Sequence, residues 1–348
     1  MTTGTAFALE DHRARELMKN LHGAKPAVYW ADFLVTTLAA WVAFAMAVRL
    51  RPFSPGMLFA AAISVVGLYR GLCFIHEISH QNERTLPNFE KAWNLLMGYP
   101  LLMPSFVYAG VHPGHHKLST YGTNQDPEYL PFAGNSLMTV LFALESFLIP
   151  VALGIRFLLL STVGFVSSSF QRWLVVHFSS LTMNLAYRRE AAPELVRTVR
   201  TQSAIMLALW LSFAALAWTH ILPWRFFAVW LGVSAAISFV NTLRTLGAHA
   251  YESTGDAMDR EGQLRDSIDT PGAVWTELWA PVGLRYHALH HYFPGIPYHN
   301  LREAWRRLSV TLPPDAVYHG VRSRGLARSL GALYLKGRLS KARGGKAR

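Results

Sequence analysis

The stretch MLFAAAISVVGLYRGLCFIHEISH, residues 57–80, decides the fold. It is apolar for long enough to cross a bilayer as a helix, and it delivers His76 and His80 at its far end. Those two histidines are one helical turn apart on one face, where neighbouring imidazoles can reach the same metal. Arg70 falls about a turn and a half before His76, close to where the helix leaves the hydrocarbon. Cys73 is the only cysteine in the chain and reads as a small buried hydrophobe rather than a redox group. With one cysteine, an intrachain disulfide and a thiolate zinc site are both excluded.

Working outward, Val28–Val48 forms a first span of about 30 Å as a helix, joined to the second through Arg49-Leu-Arg51-Pro52-Phe-Ser-Pro55-Gly56. Residues Trp93–Val111 are apolar but broken by Gly98, Pro100 and Pro104, so they read as an interfacial or re-entrant segment. Ser136–Val166 is long and apolar, yet carries Glu145, Pro150 and Arg156, each costly at mid-bilayer. Two further spans, Ala204–Leu222 and Phe226 to about Leu243, are joined by Pro223-Trp224-Arg225. The composition agrees: 51% hydrophobic and 16% charged, where a soluble domain carries about a quarter charged residues. The expected fold class is an all-α integral membrane protein, with four transmembrane helices, interfacial helices and a cytoplasmic histidine-rich cap.

Two more histidine clusters follow the first: His112-Pro-Gly-His115-His116 and His287-Ala-Leu-His290-His291. Proline is well tolerated at the first helical position, so His112, His115 and His116 can converge from the first turn of a helix. His287, His290 and His291 repeat the same spacing. Together the clusters hold eight of fifteen histidines, more than one metal can bind, and His249 just past the last span is a ninth candidate. The count points to two metals. Three histidines and a water could also serve a catalytic zinc. Around the clusters, Glu77, Asp126, Glu128, Asp266 and Asp269 are candidates to accept the second ring N–H of a ligating histidine. Glu77, off the His76/His80 face, reads as a membrane-interface residue. Trp275, Trp279 and Tyr286 read as interfacial anchors ahead of a substrate-channel role. His299 and the isolated His12, His22, His177, His220 and His319 read as structural, and Asn300 as the cap of a last helix from Leu301.

If the clusters share one site they lie on one face of the membrane, which requires an even number of crossings between His116 and His287. The hairpin from Ala204 to Leu243 supplies two, so Ser136–Val166 is expected not to cross completely. Net charge is +12, and no acidic residue occurs from Ala316 to Arg348. Beside a membrane, Arg322, Arg324, Arg328, Lys336, Arg338, Lys341, Arg343, Lys346 and Arg348 are attracted to anionic lipid, and no nucleic-acid module is visible. The clusters and both termini are then expected on the cytoplasmic side, although Arg49 and Arg51 in the opposite turn run against the positive-inside rule. The expected divisions are residues 1–26, a cytoplasmic N-terminal segment without a cleaved signal; residues 27–315, the membrane domain; and residues 316–348, the basic tail.

The pattern HxxxH, HxxHH, HxxHH on paired membrane spans resembles the membrane fatty acid desaturase superfamily, from about Val28 to Leu308. His249, after Asn241 and Arg244, is similar to the extra histidine those enzymes place behind the last span. The resemblance implies that His76, His80, His112, His115, His116, His249, His287, His290 and His291 ligate two non-haem iron ions, with Asp126 and Asn241 supporting them. It implies oxygen as co-substrate and an acyl or lipid substrate that gains a double bond. His287 opens the third box where some front-end desaturases carry glutamine, which disfavours that subgroup. His112-Pro-Gly-His belongs to a metal box rather than to the haem motif of a fused cytochrome b5 domain. Electrons are therefore expected from a separate donor, a ferredoxin or a cytochrome b5-like protein, and no GxGxxG follows a strand to bind nicotinamide. The lack of disulfides and of a signal peptide suits a bacterial inner membrane, and an endoplasmic reticulum membrane less well. Three other readings stay open: a hydroxylase on the same scaffold, a non-catalytic membrane protein that binds metal or lipid, and a zinc hydrolase.

Overall fold

The computed structural model describes residues 3–344, which are helical with three isolated β-bridges and no strand among them. Lys346 and Arg348 of the basic tail lie outside the described residues. In chain order the helices are α1 (Thr3–Met18), α2 (Pro26–Arg49), α3 (Pro55–His80), α4 (Phe89–Trp93) and α5 (His112–His115). Then come α6 (Ser136–Glu145), α7 (Ile149–Gly154), α8 (Ser161–Val166), α9 (Ser168–Phe178), α10 (Pro193–Trp218) and α11 (Arg225–Leu246). The last are α12 (Arg260–Asp266), α13 (His287–Tyr292), α14 (Tyr298–Thr311), α15 (Val317–Gly320) and α16 (Leu326–Gly344). The chain alternates between two compact units: residues 29–111 with 144–241, and residues 1–28, 112–143 and 242–348.

The first of these units carries the membrane-crossing helices. Ser54 starts α3 by accepting a hydrogen bond from the Met57 amide at 3.2 Å, with Pro55 in the first turn where no amide is needed. Gly67 lets α3 approach α2 closely, since a Cβ there would stand 2.6 Å from the Ala40 Cβ. Nearer the His80 end of α3, the two arms of Arg70 meet Asp32 of α2 at 3.0 and 2.6 Å. That bidentate pair compensates both charges at a depth where either alone would be costly.

Residues 94–103 form a π-helical turn and tight turns rather than a span, as the glycine and prolines predict. Irregular backbone at membrane depth survives only where its polar groups find protein partners. Tryptophan supplies them. Indole N–H groups of Trp41, Trp210 and Trp230 donate to the carbonyls of Leu96, Tyr99 and Pro100 at 2.8, 3.1 and 2.9 Å. Trp93 donates in turn to the Gly71 carbonyl of α3 at 2.8 Å.

Five stretches are long and apolar enough to cross a membrane: α2, α3, Ser136–Val166, α10 and α11. Four overlap the spans read from the sequence, although α10 starts at Pro193 rather than Ala204 and ends at Trp218 rather than Leu222. Ser136–Val166 is not one regular helix: a 3₁₀ turn joins α6 to α7, whose second residue is Pro150, and a π-helical segment joins α7 to α8. Arg156, inside that π segment, is buried and donates to the Phe178 carbonyl at 2.7 Å and to Ser161 at 3.0 Å. The chain is an all-α integral membrane protein with both spanning and non-spanning helices.

In the other unit a core built on Met18, Leu21, Tyr292, Leu301, Leu308 and Tyr318 joins α1 to α13, α14 and α15. Arg260 ties α12 to Asp11 of α1 at 2.9 Å, and Glu10 accepts from the first amides of α15, Val317 and Tyr318, at 2.8 and 3.1 Å. Helix α14 starts three residues before the sequence-based expectation. Asn300 does not cap it; its amide donates instead to the Leu21 carbonyl at 2.7 Å, tethering the segment after α1. Residues 266–270 form a hub. The Ile268 amide donates to Ala248, the Asp269 amide to Val321 and the Thr270 amide to Arg285, at 2.8, 2.9 and 2.7 Å.

Candidate metal centre

Helix α5 and helix α13, each about one or two turns long, project two of the histidine clusters within the non-spanning unit. His249 joins them from the chain just past α11, held by an antiparallel bridge to Ser267 and by the Ala250 amide on the Asp266 carbonyl at 2.6 Å. His115, His249, His287 and His291 are all buried, and their ligand atoms lie within 4.8 Å of one another. The Nε2 atom of His249 is 3.3 Å from that of His115 and 2.8 Å from that of His287, which is 3.1 Å from that of His291. A second convergence adjoins it: His116 Nε2 stands 2.9 Å from His112 Nε2 and 3.2 Å from His290 Nε2. The rings of His116 and His291 stack at 4.3 Å between centroids. His76 and His80 sit in the last turn of α3, in the spanning unit, with ring centroids 5.0 Å apart.

The outward nitrogens settle the tautomers. His115 Nδ1 faces Asp126 at 2.9 Å and His112 Nδ1 faces Glu128 at 2.8 Å, so in each the carboxylate accepts Nδ1–H and leaves the Nε2 lone pair pointing inward. Asp126 is itself fixed by the amides of Gly122 and Glu128, both at 2.9 Å. His249 Nδ1 lies 2.9 Å from the Tyr121 hydroxyl, which donates onward to Asp266 at 2.9 Å. The Gln263 amide is 3.3 Å from His291 Nδ1. Asp269 orients α13 as a whole: it accepts from the Leu289 amide at 3.1 Å and from the Tyr318 hydroxyl at 2.7 Å.

Burial, reinforced by the charge of neighbouring histidines, holds His249 and His291 well below the ordinary imidazole range, so both rings are neutral. For His115 burial also pulls downward, but the adjacent Asp126 carboxylate overrides it and the net shift is upward. With Asp126 and Tyr121 engaging their Nδ1–H groups, His115 and His249 turn Nε2 lone pairs toward each other at 3.3 Å, and these repel unless a cation sits between them. The donor set therefore fits a metal at each convergence. All-imidazole coordination with carboxylate support suits iron as well as zinc or copper.

Of the carboxylates singled out, Asp126 and Glu128 meet a cluster histidine directly, Asp266 reaches His249 through Tyr121, and Asp269 meets the α13 backbone rather than a ring N–H. Asn241 is half-buried on α11, in the spanning unit. Glu77 is a correction: only 2% exposed, it is not an interface residue but takes the Tyr29 hydroxyl in a short hydrogen bond, 3.7 Å from His76 Nδ1. Tyr29 of α2 covers it. Tyr121 and Gln263 were not legible in the sequence, because a buried tyrosine beside a polar turn has no local signature. Cys73 is buried, and His299 accepts the Lys25 amide at 3.1 Å. Tyr286 is a correction, buried in the core rather than placed as an anchor, whereas Val274, Trp275 and Leu278 are exposed in one 3₁₀ turn.

The fatty acid desaturase family profile matches residues 52–322. A ceramide hydroxylase of Caulobacter vibrioides (strain NA1000 / CB15N) is 37% identical over 335 residues, covering 95% of this chain and 94% of that protein. No solved structure matches. With both histidine convergences inside the matched region, the chain belongs to the fatty acid desaturase family and is an oxidoreductase of the membrane desaturase and hydroxylase superfamily.

Proposed function

We propose that this protein is an oxygen-dependent di-iron hydroxylase of a ceramide-like membrane lipid. The carrying observation is the end-to-end likeness to a ceramide hydroxylase, in a chain whose buried imidazoles converge at two places. Desaturation, the first expectation from the three boxes alone, uses the same ligands and becomes the second reading.

Nine histidines would hold the irons: His112, His115, His116, His249, His287, His290 and His291 on geometry, and His76 and His80 on the three-box pattern. A bound iron pair supplies oxygen activation. One C–H bond, O2, two electrons and two protons give C–OH and water, with the electrons from a separate ferredoxin or cytochrome b5-like donor. The protein's own part is positional. Asp126, Glu128 and the Tyr121–Asp266 relay keep protons on the outward nitrogens, so the inward ones remain ligands. Burial keeps water away from the reacting position.

With four crossings the three boxes would share one face, which we assign to the cytoplasm of a bacterial inner membrane. The breaks in Ser136–Val166 support its lying without a full crossing. The test compares wild type and His115→Ala, reconstituted with ceramide, oxygen and a reducing donor. A His115-dependent product heavier by about sixteen mass units supports hydroxylation, and one lighter by about two moves desaturation to first place. Iron-loaded wild type without product or oxygen uptake would favour the non-catalytic reading.

A further inference from the structure

We propose that the spanning unit carries a separate binding groove for an anionic phospholipid, at the end of its helices away from His80. The groove encloses about 390 Å³ and is lined by Trp41, Phe44, Leu95, Phe213, Leu222 and Phe226 among others. That volume is in the range of sites that take small molecules, roughly 300–1,000 Å³. Its walls come from α2, α10, α11 and the π-helical turn, and the three long helices are candidate spans, so a bilayer around them would bring hydrocarbon to it. An apolar cleft open to lipid accepts an acyl chain.

Charge at the mouth selects which lipid. Arg49 closes α2, lines the groove and is exposed. Arg51 follows in the same turn, and Arg225 reaches across from the start of α11 to donate to the Ala47 carbonyl at 3.2 Å. Neither connecting turn, residues 49–56 or 219–225, contains an acidic residue. Phe53, Trp218 and Trp224 are 84, 78 and 55% exposed at the same end, as expected of aromatic side chains at headgroup depth. Arg49 at the edge of an apolar cleft, with Arg51 and Arg225 in the adjoining turns, matches a phosphate ester with its acyl chain below, because guanidinium recognises phosphate through parallel N–H donors. The same ligand accounts for the arginines that run against the positive-inside rule.

Full-length protein in nanodiscs of phosphatidylcholine with a minor share of phosphatidylglycerol is released into detergent, and its retained lipids are counted by native mass spectrometry. Wild type should keep one phosphatidylglycerol in preference to phosphatidylcholine. Ala45→Trp, which fills the cleft, and Arg49→Gln, which removes the charge, should each lower that retention by about tenfold or more, equivalent to about 1.4 kcal/mol. Iron content, read on the same samples, should stay at the wild-type level and so report an intact fold. Equal retention of the two lipids, retention unchanged in iron-replete variants, or a lipid-free dimer burying the groove would each overturn the assignment.

Discussion

The Asp126 carboxylate lies 2.9 Å from Nδ1 of His115, and both residues are buried. A buried carboxylate in that position needs positive charge nearby, which a proton on the imidazole or a metal on its far nitrogen can supply. Asp126→Asn retains one acceptor but removes the charge. Iron affinity should fall about 10- to 100-fold, with expression and membrane insertion unchanged. Competitive chelation followed by elemental analysis measures this, and wild-type affinity in the variant would refute the role.

Tyr121 links His249 to Asp266 through one hydroxyl. Tyr121→Phe preserves the ring packing but removes the hydroxyl between a histidine nitrogen and one oxygen of a buried carboxylate, whose other oxygen keeps the Glu252 amide. The loss should be about 1–3 kcal/mol of stability. A thermal melt lowered in both iron-loaded and iron-depleted protein is the expected signature; a change confined to the loaded form would mean the hydroxyl serves the metal alone.

Asp269 has its carboxyl raised to about 6, chiefly by burial, against the opposing pull of Tyr318 and the α13 amides. Because the folded value exceeds the unfolded one, the native state holds the extra proton between about pH 4 and 6. Its stabilising effect is complete below that window and is lost as pH rises through about 6. Asp269→Asn stays neutral throughout, so wild type should lose melting temperature relative to the variant from pH 4 to 7. Parallel curves would argue against the shift.

Trp210 shields the Tyr99 carbonyl within the irregular membrane segment. Trp210→Phe leaves a buried acceptor without its indole donor and should lower stability by about 1–3 kcal/mol. Trp41 is less buried, so Trp41→Phe should cost less. Equal melting of all three proteins would show that other donors reach those carbonyls.

Local patterns carried much of this protein. The i, i+3, i+4 spacing of His112, His115 and His116, and of His287, His290 and His291, determines which imidazoles share a helical face, since 3.6 residues per turn is a property of the backbone. Apolar length likewise identified α2, α3, α10 and α11, because bilayer thickness sets the length of a spanning helix. Tertiary structure alone decided how the boxes are divided. His115 parts from His112 and His116 to join His249, His287 and His291, while those two join His290. It also decided that Tyr121 bridges to Asp266, 145 residues away, that tryptophans satisfy the 94–103 backbone, and that Glu77 is covered by Tyr29. Such contacts depend on how separate elements pack, and side-chain periodicity within one element carries no information about its neighbour.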